Sequence, residues 1–293
     1  MYESQSSNLK HKLASGNSTP ANPTDEISSQ SVEYKQFIRR RRRQVLFIRI
    51  SQMVLLIMIL AVWELAARLQ WVNPMLTSSP LQIVSMFGQL VHNGEILSDS
   101  LITAKETVIG FLASMIIGMA AAVVLWWSSY AANVLDPYLV VLNALPKVAL
   151  GPIFYIWLGD QKSIYGMAIA ISVVVTVMML ASGFREVDSG KLKLLESFGA
   201  SKWQMLKKVV LPASIPNLVA TMKVNVGLTL VGVIMGEFLS AKAGLGFLIT
   251  YGGQVFQMGL VMTSILILVV FSLIMYGLVS YLGRWLLTKY NFD

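Results

Sequence analysis

Of the chain's 293 residues, 55% are hydrophobic and only 13% are charged, and the mean hydropathy is +0.65; so few charges cannot solvate a soluble domain of this size, and the composition selects a membrane protein. The formal net charge of +8 is concentrated in basic blocks near the ends of apolar runs, which suits orientation in a bilayer and argues against nucleic acid as a partner. With no cysteine, disulfides, thiolate metal sites and cysteine nucleophiles are excluded.

Residues 1–38 open with a stretch rich in Ser, Asn, Gln, Thr and Pro, with too little apolar surface to offset the entropy of ordering it, which predicts a disordered cytoplasmic tail. Arg39 to Arg43 then precede an apolar run over about 46–68, long enough to cross roughly 30 Å of hydrocarbon. A cleaved signal peptide would show a shorter apolar core and a small-residue cleavage site, and neither is evident. Five further spans are expected over about 104–127, 138–158, 164–184, 212–240 and 258–287, with the last five spans and the first all inside a transmembrane domain of residues 39–293. The fold class is therefore an all-α polytopic membrane protein with six transmembrane helices.

Lysine and arginine set the orientation, because the side that keeps them is cytoplasmic. With both termini inside, the N-terminal arginines, Arg185, Lys191, Lys193, Lys202, Lys207, Lys208, Arg284 and Lys289 fall on the cytosolic side, against Arg68, Lys105, Lys162 and Lys242 outside. Gly110, Gly118 and the run Ala120 to Ala122 in the second span let helices approach closely, either in ordinary packing or in a dimer motif. Pro146 and Pro152 interrupt the third span in NALPKVALGPIFYIWLG, leaving open a broken helix lining a pathway or a simple kink.

The longest cytoplasmic loop, 186–211, is chemically distinct from its surroundings. Gly199 can take the left-handed conformation that stops one helix, and Ser201 with Gln204 three residues on forms a capping-box signature that starts another. Leu194, Leu195, Phe198, Trp203, Met205 and Leu206 give this helix–turn–helix more apolar surface than water favours, with Lys202, Lys207 and Lys208 at its rim. Pro212 and Pro216 lead into the next span, tying the knob to a membrane helix. The residues alone fit two roles: a docking knob for a partner protein, or an amphipathic pair lying on lipid headgroups.

The spacing of Gly199, nine residues, Val209, one residue, Leu211-Pro212 resembles the cytoplasmic loop of binding-protein-dependent ABC importer permeases. The family pattern opens with Glu-Ala-Ala, where this chain reads Lys193-Leu194-Leu195, with Glu196 nearby on the same helix. Similarity runs from about Trp63 to Leu286 and includes WELAAR, the stretch Leu76 to Phe111, LPKVALGPIFYIWLGDQKS, and MGEFLSAKAGLGFLI from Met235 to Ile249. These segments are similar to the permease branch serving nitrate, aliphatic sulfonates, taurine and pyrimidine precursors. The resemblance implies a type I importer permease fold in the cell membrane and a second copy of the chain as dimer partner. It also implies a cytosolic ABC ATPase dimer and an extracytoplasmic solute-binding protein. The ATPase-coupling loop would then comprise Leu194, Leu195, Glu196, Phe198, Gly199, Ala200, Ser201, Trp203, Leu211 and Pro212.

No phosphate loop of the G-x-x-x-x-G-K-[S/T] type occurs, so ATP and its Mg are expected on the partner, with no cofactor in this chain. His11 and His92 are the only histidines, and no H-E-x-x-H or G-x-S-x-G appears, so no catalytic or metal site is expected. Ionisable groups at membrane depth are better candidates, since charge in hydrocarbon is costly and normally faces a cavity or partner. Asn143, Pro146, Lys147, Pro152, Lys223 and Glu237 are the translocation-path candidates. Lys147 either attracts an anionic solute or pairs with a carbonyl, Lys223 snorkels, and Glu237 is expected to hold the following AKAGLGFLITYGG segment. An ion-coupled secondary transporter and a membrane scaffold recruiting a soluble protein remain as alternatives; the first is expected to show repeated halves with matching helix breaks.

Overall fold

The computed structural model describes residues 23–71 and 77–290, which form helices joined by turns. Two units are distinguished, residues 1–63 and 64–293. The helix α1, Pro23–Arg68, carries the first apolar span over Leu46–Arg68. Residues 1–22 of the expected tail lie outside the described residues, and over 23–38 the backbone is helical. Pro23 sits where a missing N–H is harmless, and from Thr24 to Arg68 no Pro or Gly intervenes. A helix already formed in the span then extends at little cost per residue.

In the second unit, Glu64 bonds Arg68 at 2.8 Å and accepts a hydrogen bond from the backbone N–H of Leu81 at 3.2 Å. Its negative charge thereby sits at the N-terminus of α2, Pro80–His92, where the helix dipole favours it, and Ser79 caps the same turn through Gln82 N. The helix α3, Glu95–Trp127, has 33 residues and begins earlier than the expected 104. At about 1.5 Å per residue it is longer than the hydrocarbon and projects beyond it.

The third expected span, 138–158, is instead a bent pair. The first limb is α4, Ser129–Ala144; a 3-10 turn at Lys147–Leu150 leads into the second, α5, Gly151–Leu158, and the two limbs differ in direction by 87°. Pro146 explains the break, because the residue before a proline is pushed out of the helical region, and Leu145 adopts φ −63°, ψ 137°. The chain then forms α6, Asp160–Arg185, a loop described below, α9, Ile215–Ser240, the shorter α10, Leu245–Gln254, and α11, Met258–Lys289. Among the described residues five helices are long and apolar enough to cross a membrane, and the bent pair, counted as one span, brings the number to six.

The centre of the second unit is the packing of α6 against α9 and α3. Small residues permit it: a Cβ added to Gly232 would lie 2.6 Å from Ala168 Cα, and one on Gly118 would lie 2.5 Å from Thr176 Cγ2. The small residues of the second span thus serve packing within the chain. At one end of this bundle Ala122, Leu125, Val177, Leu180 and Phe184 form an apolar cluster; at the other, Leu230, Leu245, Leu248 and Leu260 form a second.

Candidate functional site

The loop between α6 and α9 is built from local signals. Asp188 caps α7, Ser189–Ser197, by accepting from Gly190 N at 2.8 Å. The helix stops at Gly199, whose φ of +77° is the left-handed conformation; Gly199 N donates to Glu196 O and Ala200 N to Leu195 O. The reciprocal capping box follows: Gln204 N donates to Ser201 Oγ at 3.3 Å, and Ser201 N donates to Gln204 Oε1 at 2.8 Å. This starts α8, Lys202–Met205, which runs through a π turn at Leu206–Val210 and the short turn Leu211–Ala213 into α9.

The element has two faces. Leu206 and Val210 are buried in the apolar cluster at the ends of α3 and α6. Leu194, Phe198 and Trp203 are 57%, 77% and 59% exposed on the opposite face, while Leu195 and Ala200 are half-buried and Glu196 is exposed. Lys202 Nζ donates to Trp127 O at 3.4 Å, at the negative end of the α3 dipole, and Ser214 Oγ donates to Gly183 O at 3.3 Å. Phe198 and Trp203 are thus carried on an element that is packed against the ends of α3 and α6 and continuous with α9. Leu211 and Pro212 are half-buried at that junction.

The translocation-path candidates separate into distinct environments. Asn143, Pro146 and Pro152 are exposed around the helix break, where Lys147 Nζ donates to Asn143 O at 3.3 Å. Gly151 approaches α9 so closely that a Cβ there would meet Leu239. Lys223, half-buried in α9, makes no side-chain hydrogen bond or ion pair among the described residues. Glu237 is 1% exposed; it accepts from Thr103 Oγ1 at 2.7 Å and from Gly246 N, so α9 grips the first turn of α10. Thr103 Oγ1 also accepts from Leu245 N at 2.9 Å, and Asp99 accepts from Gly244 N at 2.7 Å. The structure does not bring Glu237 to the Pro146–Pro152 break among the contacts it forms.

Sequence reasoning missed two arrangements. Asn225 on α9 donates to Thr176 Oγ1 on α6 and accepts from Ser114 Oγ on α3 at 3.1 Å, linking the three central helices. Arg185 holds Asp136 through two hydrogen bonds, at 3.0 and 3.2 Å, joining the first limb of the broken span to the last residue of α6 before the loop. Neither leaves a local sequence signal, since the partners are far apart in the chain. If this ion pair transmits motion of the loop to the broken span, Asp136→Arg should reduce solute uptake several-fold and the exchanged pair Asp136→Arg with Arg185→Asp should recover most of it. Uptake assays at matched expression check this, and an unrescued double variant would assign the pair no such role.

A core of three glycine-packed spans, a broken span and a helix–turn–helix knob continuous with a membrane helix define the type I ABC importer permease fold. Residues 114–288 match the family described as the binding-protein-dependent transport system inner membrane component, and the chain belongs to that family: it is the multi-pass membrane subunit of an import system. It is similar to the putative aliphatic sulfonates transport permease protein SsuC of Bacillus subtilis, 28% identical over 80% of this chain and 85% of that protein. It is also similar to a probable ABC transporter permease protein of Haemophilus influenzae, 29% identical over 79% and 93% of the two chains. The formylaminopyrimidine transport permease protein ThiX of Halalkalibacterium halodurans is 27% identical over 65% and 76%. Among solved structures, the MetNI methionine ABC transporter in an inward-facing conformation has the same fold, with a TM-score of 0.57 and 16% identity over 63% of this chain and 92% of that one.

Proposed function

We propose that two copies of this chain form a path across the cell membrane, with residues 39–293 as the transmembrane domain and both termini cytosolic. A dimer of ABC ATPase subunits in the cytosol binds ATP and Mg and performs the hydrolysis; this chain supplies no nucleotide site of its own. A solute-binding protein delivers the cargo on the outer side. The observation that carries this reading is the exposed Leu194–Phe198–Trp203 face on a loop that is rooted in the bundle and continuous with α9. Closure of the ATPase dimer presses that face and shifts the spans toward the outward-open state, which ATP and the loaded binding protein must each favour for net import. The cargo is a small solute of the sulfonate, nitrate, taurine or pyrimidine type, supported by relatives whose names specify aliphatic sulfonates, formylaminopyrimidine and taurine.

Proteoliposomes carrying the chain with its ATPase and binding protein test the reading. Labelled solutes from those classes should enter only with ATP, and vanadate should stop them. Uptake that survives ATP removal but collapses with an ion gradient would instead identify a secondary transporter. Stable recruitment of the ATPase with no ATP-dependent entry of any solute would identify a scaffold.

A further inference from the structure

The helix α1 carries its densest charge just before its apolar span. Arg39 to Arg43 are five consecutive arginines, and Leu46 opens the span that runs to Arg68. The backbone is helical throughout, so the five positions are spread round the whole circumference of the helix within about 6 Å of its length. That is the depth of one headgroup layer, about 5–7 Å, and the last of the five stands only about 4–5 Å before the hydrocarbon begins. Arg39, Arg41 and Arg43 are exposed and make no ion pair among the described residues. Arg49, three residues inside the span, is exposed as well. Helical side chains lean toward the helix N-terminus, so its long stem can return its charge to the same layer.

Nothing within the helix neutralises this block. Residues 35–47, which take in one turn to either side, contain no Asp or Glu, and Glu33 is the nearest acid before them. The spacings of positions 39 and 42, 40 and 43, and 39 and 43 instead set like charges on neighbouring turns, which opposes the helix. The counter-charge therefore comes from outside the helix, and at this depth the group at hand is a lipid phosphate. Orientation alone would be served equally by lysine, because both basic residues count toward it. What five arginines add is the planar guanidinium fork, which meets two phosphate oxygens at once where an ammonium acts as a point charge. We propose that this arginine collar is a binding site for anionic phospholipid headgroups, drawn from the leaflet on the N-terminal side of the membrane. Net charge selects the lipid: phosphatidylcholine carries the same phosphate, but the collar repels the trimethylammonium group beside it. A nucleic acid would need the collar clear of the bilayer, and the short step to Leu46 leaves no such clearance. The inference is independent of the cargo and of the ATPase.

The test uses the full chain, purified in mild detergent and exchanged into an equimolar mixture of phosphatidylglycerol and phosphatidylcholine, with the retained lipids counted by mass spectrometry. Phosphatidylglycerol is expected to exceed phosphatidylcholine at least about fivefold, and the ratio should fall as salt is raised. The triple variant Arg40→Gln, Arg41→Gln, Arg42→Gln leaves Arg39 and Arg43 to orient the helix and should lower the ratio at least about threefold. The corresponding triple change to lysine keeps the charge, so it keeps the test open if the glutamine variant fails to insert; it should lower the ratio about twofold. Inorganic phosphate in tenfold excess over lipid should displace neither lipid. The proposal is overturned by equal retention of the two lipids, or by either triple variant retaining the selectivity of the parent chain. Displacement by inorganic phosphate would overturn it in favour of a free-anion site. Tighter capture of a labelled single-stranded oligonucleotide than of phosphatidylglycerol would overturn it in favour of nucleic acid.

Discussion

Gly199→Asp is expected to lower ATP-driven uptake more than tenfold while leaving membrane insertion and yield near those of the parent chain. Two effects combine. A side chain at φ +77° adds backbone strain that glycine avoids, less than about 1–2 kcal/mol for the short polar Asp and Asn, and loosens the angle between α7 and α8. A carboxylate is also placed between Phe198 and Trp203, on the face offered to the ATPase. No atom lies within 4 Å of a Cβ built at this glycine, so the bundle itself has no reason to unfold. Gly199→Asn separates the causes, because asparagine carries a similar backbone cost without adding charge; it should retain a large part of the uptake. Co-purification of the ATPase with each variant gives the second readout. Full recruitment and uptake by Gly199→Asp would remove the coupling role from this loop.

The loop was legible because its signals are local. A capping box spans four residues, a glycine stop spans one, and both are written in contiguous sequence, so Ser201, Gln204 and Gly199 fell where the chemistry required. The spans were legible from apolar run length alone, and the fracture at Pro146 followed from the steric demand of proline on Leu145. Their boundaries were less so: α3 begins at Glu95 because its first turns, although polar, contain no Pro or Gly to stop them, and α4 begins at Ser129, which Ser128 caps through Ala131 N. The helix α2 lay outside the apolar runs, although Ser79-Pro80 is a readable helix start. What the sequence could not disclose is which face of a uniformly apolar helix meets which neighbour. Thr103 and Glu237 are 134 positions apart, and nothing in either span's periodicity joins them. The same silence hid Glu106 beside Glu237 and Asn225 between Ser114 and Thr176.

That long-range contact gives the second large effect. Glu237→Ala removes the acceptor for both Thr103 Oγ1 and Gly246 N in a site that water does not reach, Glu237 being 1% exposed. Each buried donor left without a partner costs about 1–3 kcal/mol, so the variant should lose about 2–5 kcal/mol and unfold at a clearly lower temperature in detergent. Gly246→Ala attacks the same contact from the other side, since its new Cβ would lie 2.6 Å from Glu237 Oε2 and 2.8 Å from Glu237 Cβ. The two changes therefore should be partly non-additive: with the carboxylate gone the 2.6 Å contact is relieved, whereas the 2.8 Å contact with Cβ, which alanine keeps, remains. A double-mutant cycle on thermal unfolding midpoints measures this, with a coupling of at least about 1 kcal/mol expected for residues in direct contact. Strict additivity would mean that Cβ of residue 237 at 2.8 Å and Ile234 O at 3.1 Å, and not the carboxylate, are what require glycine at position 246. The start of α10 would then be held chiefly from α3, by Thr103 and Asp99 accepting from Leu245 N and Gly244 N.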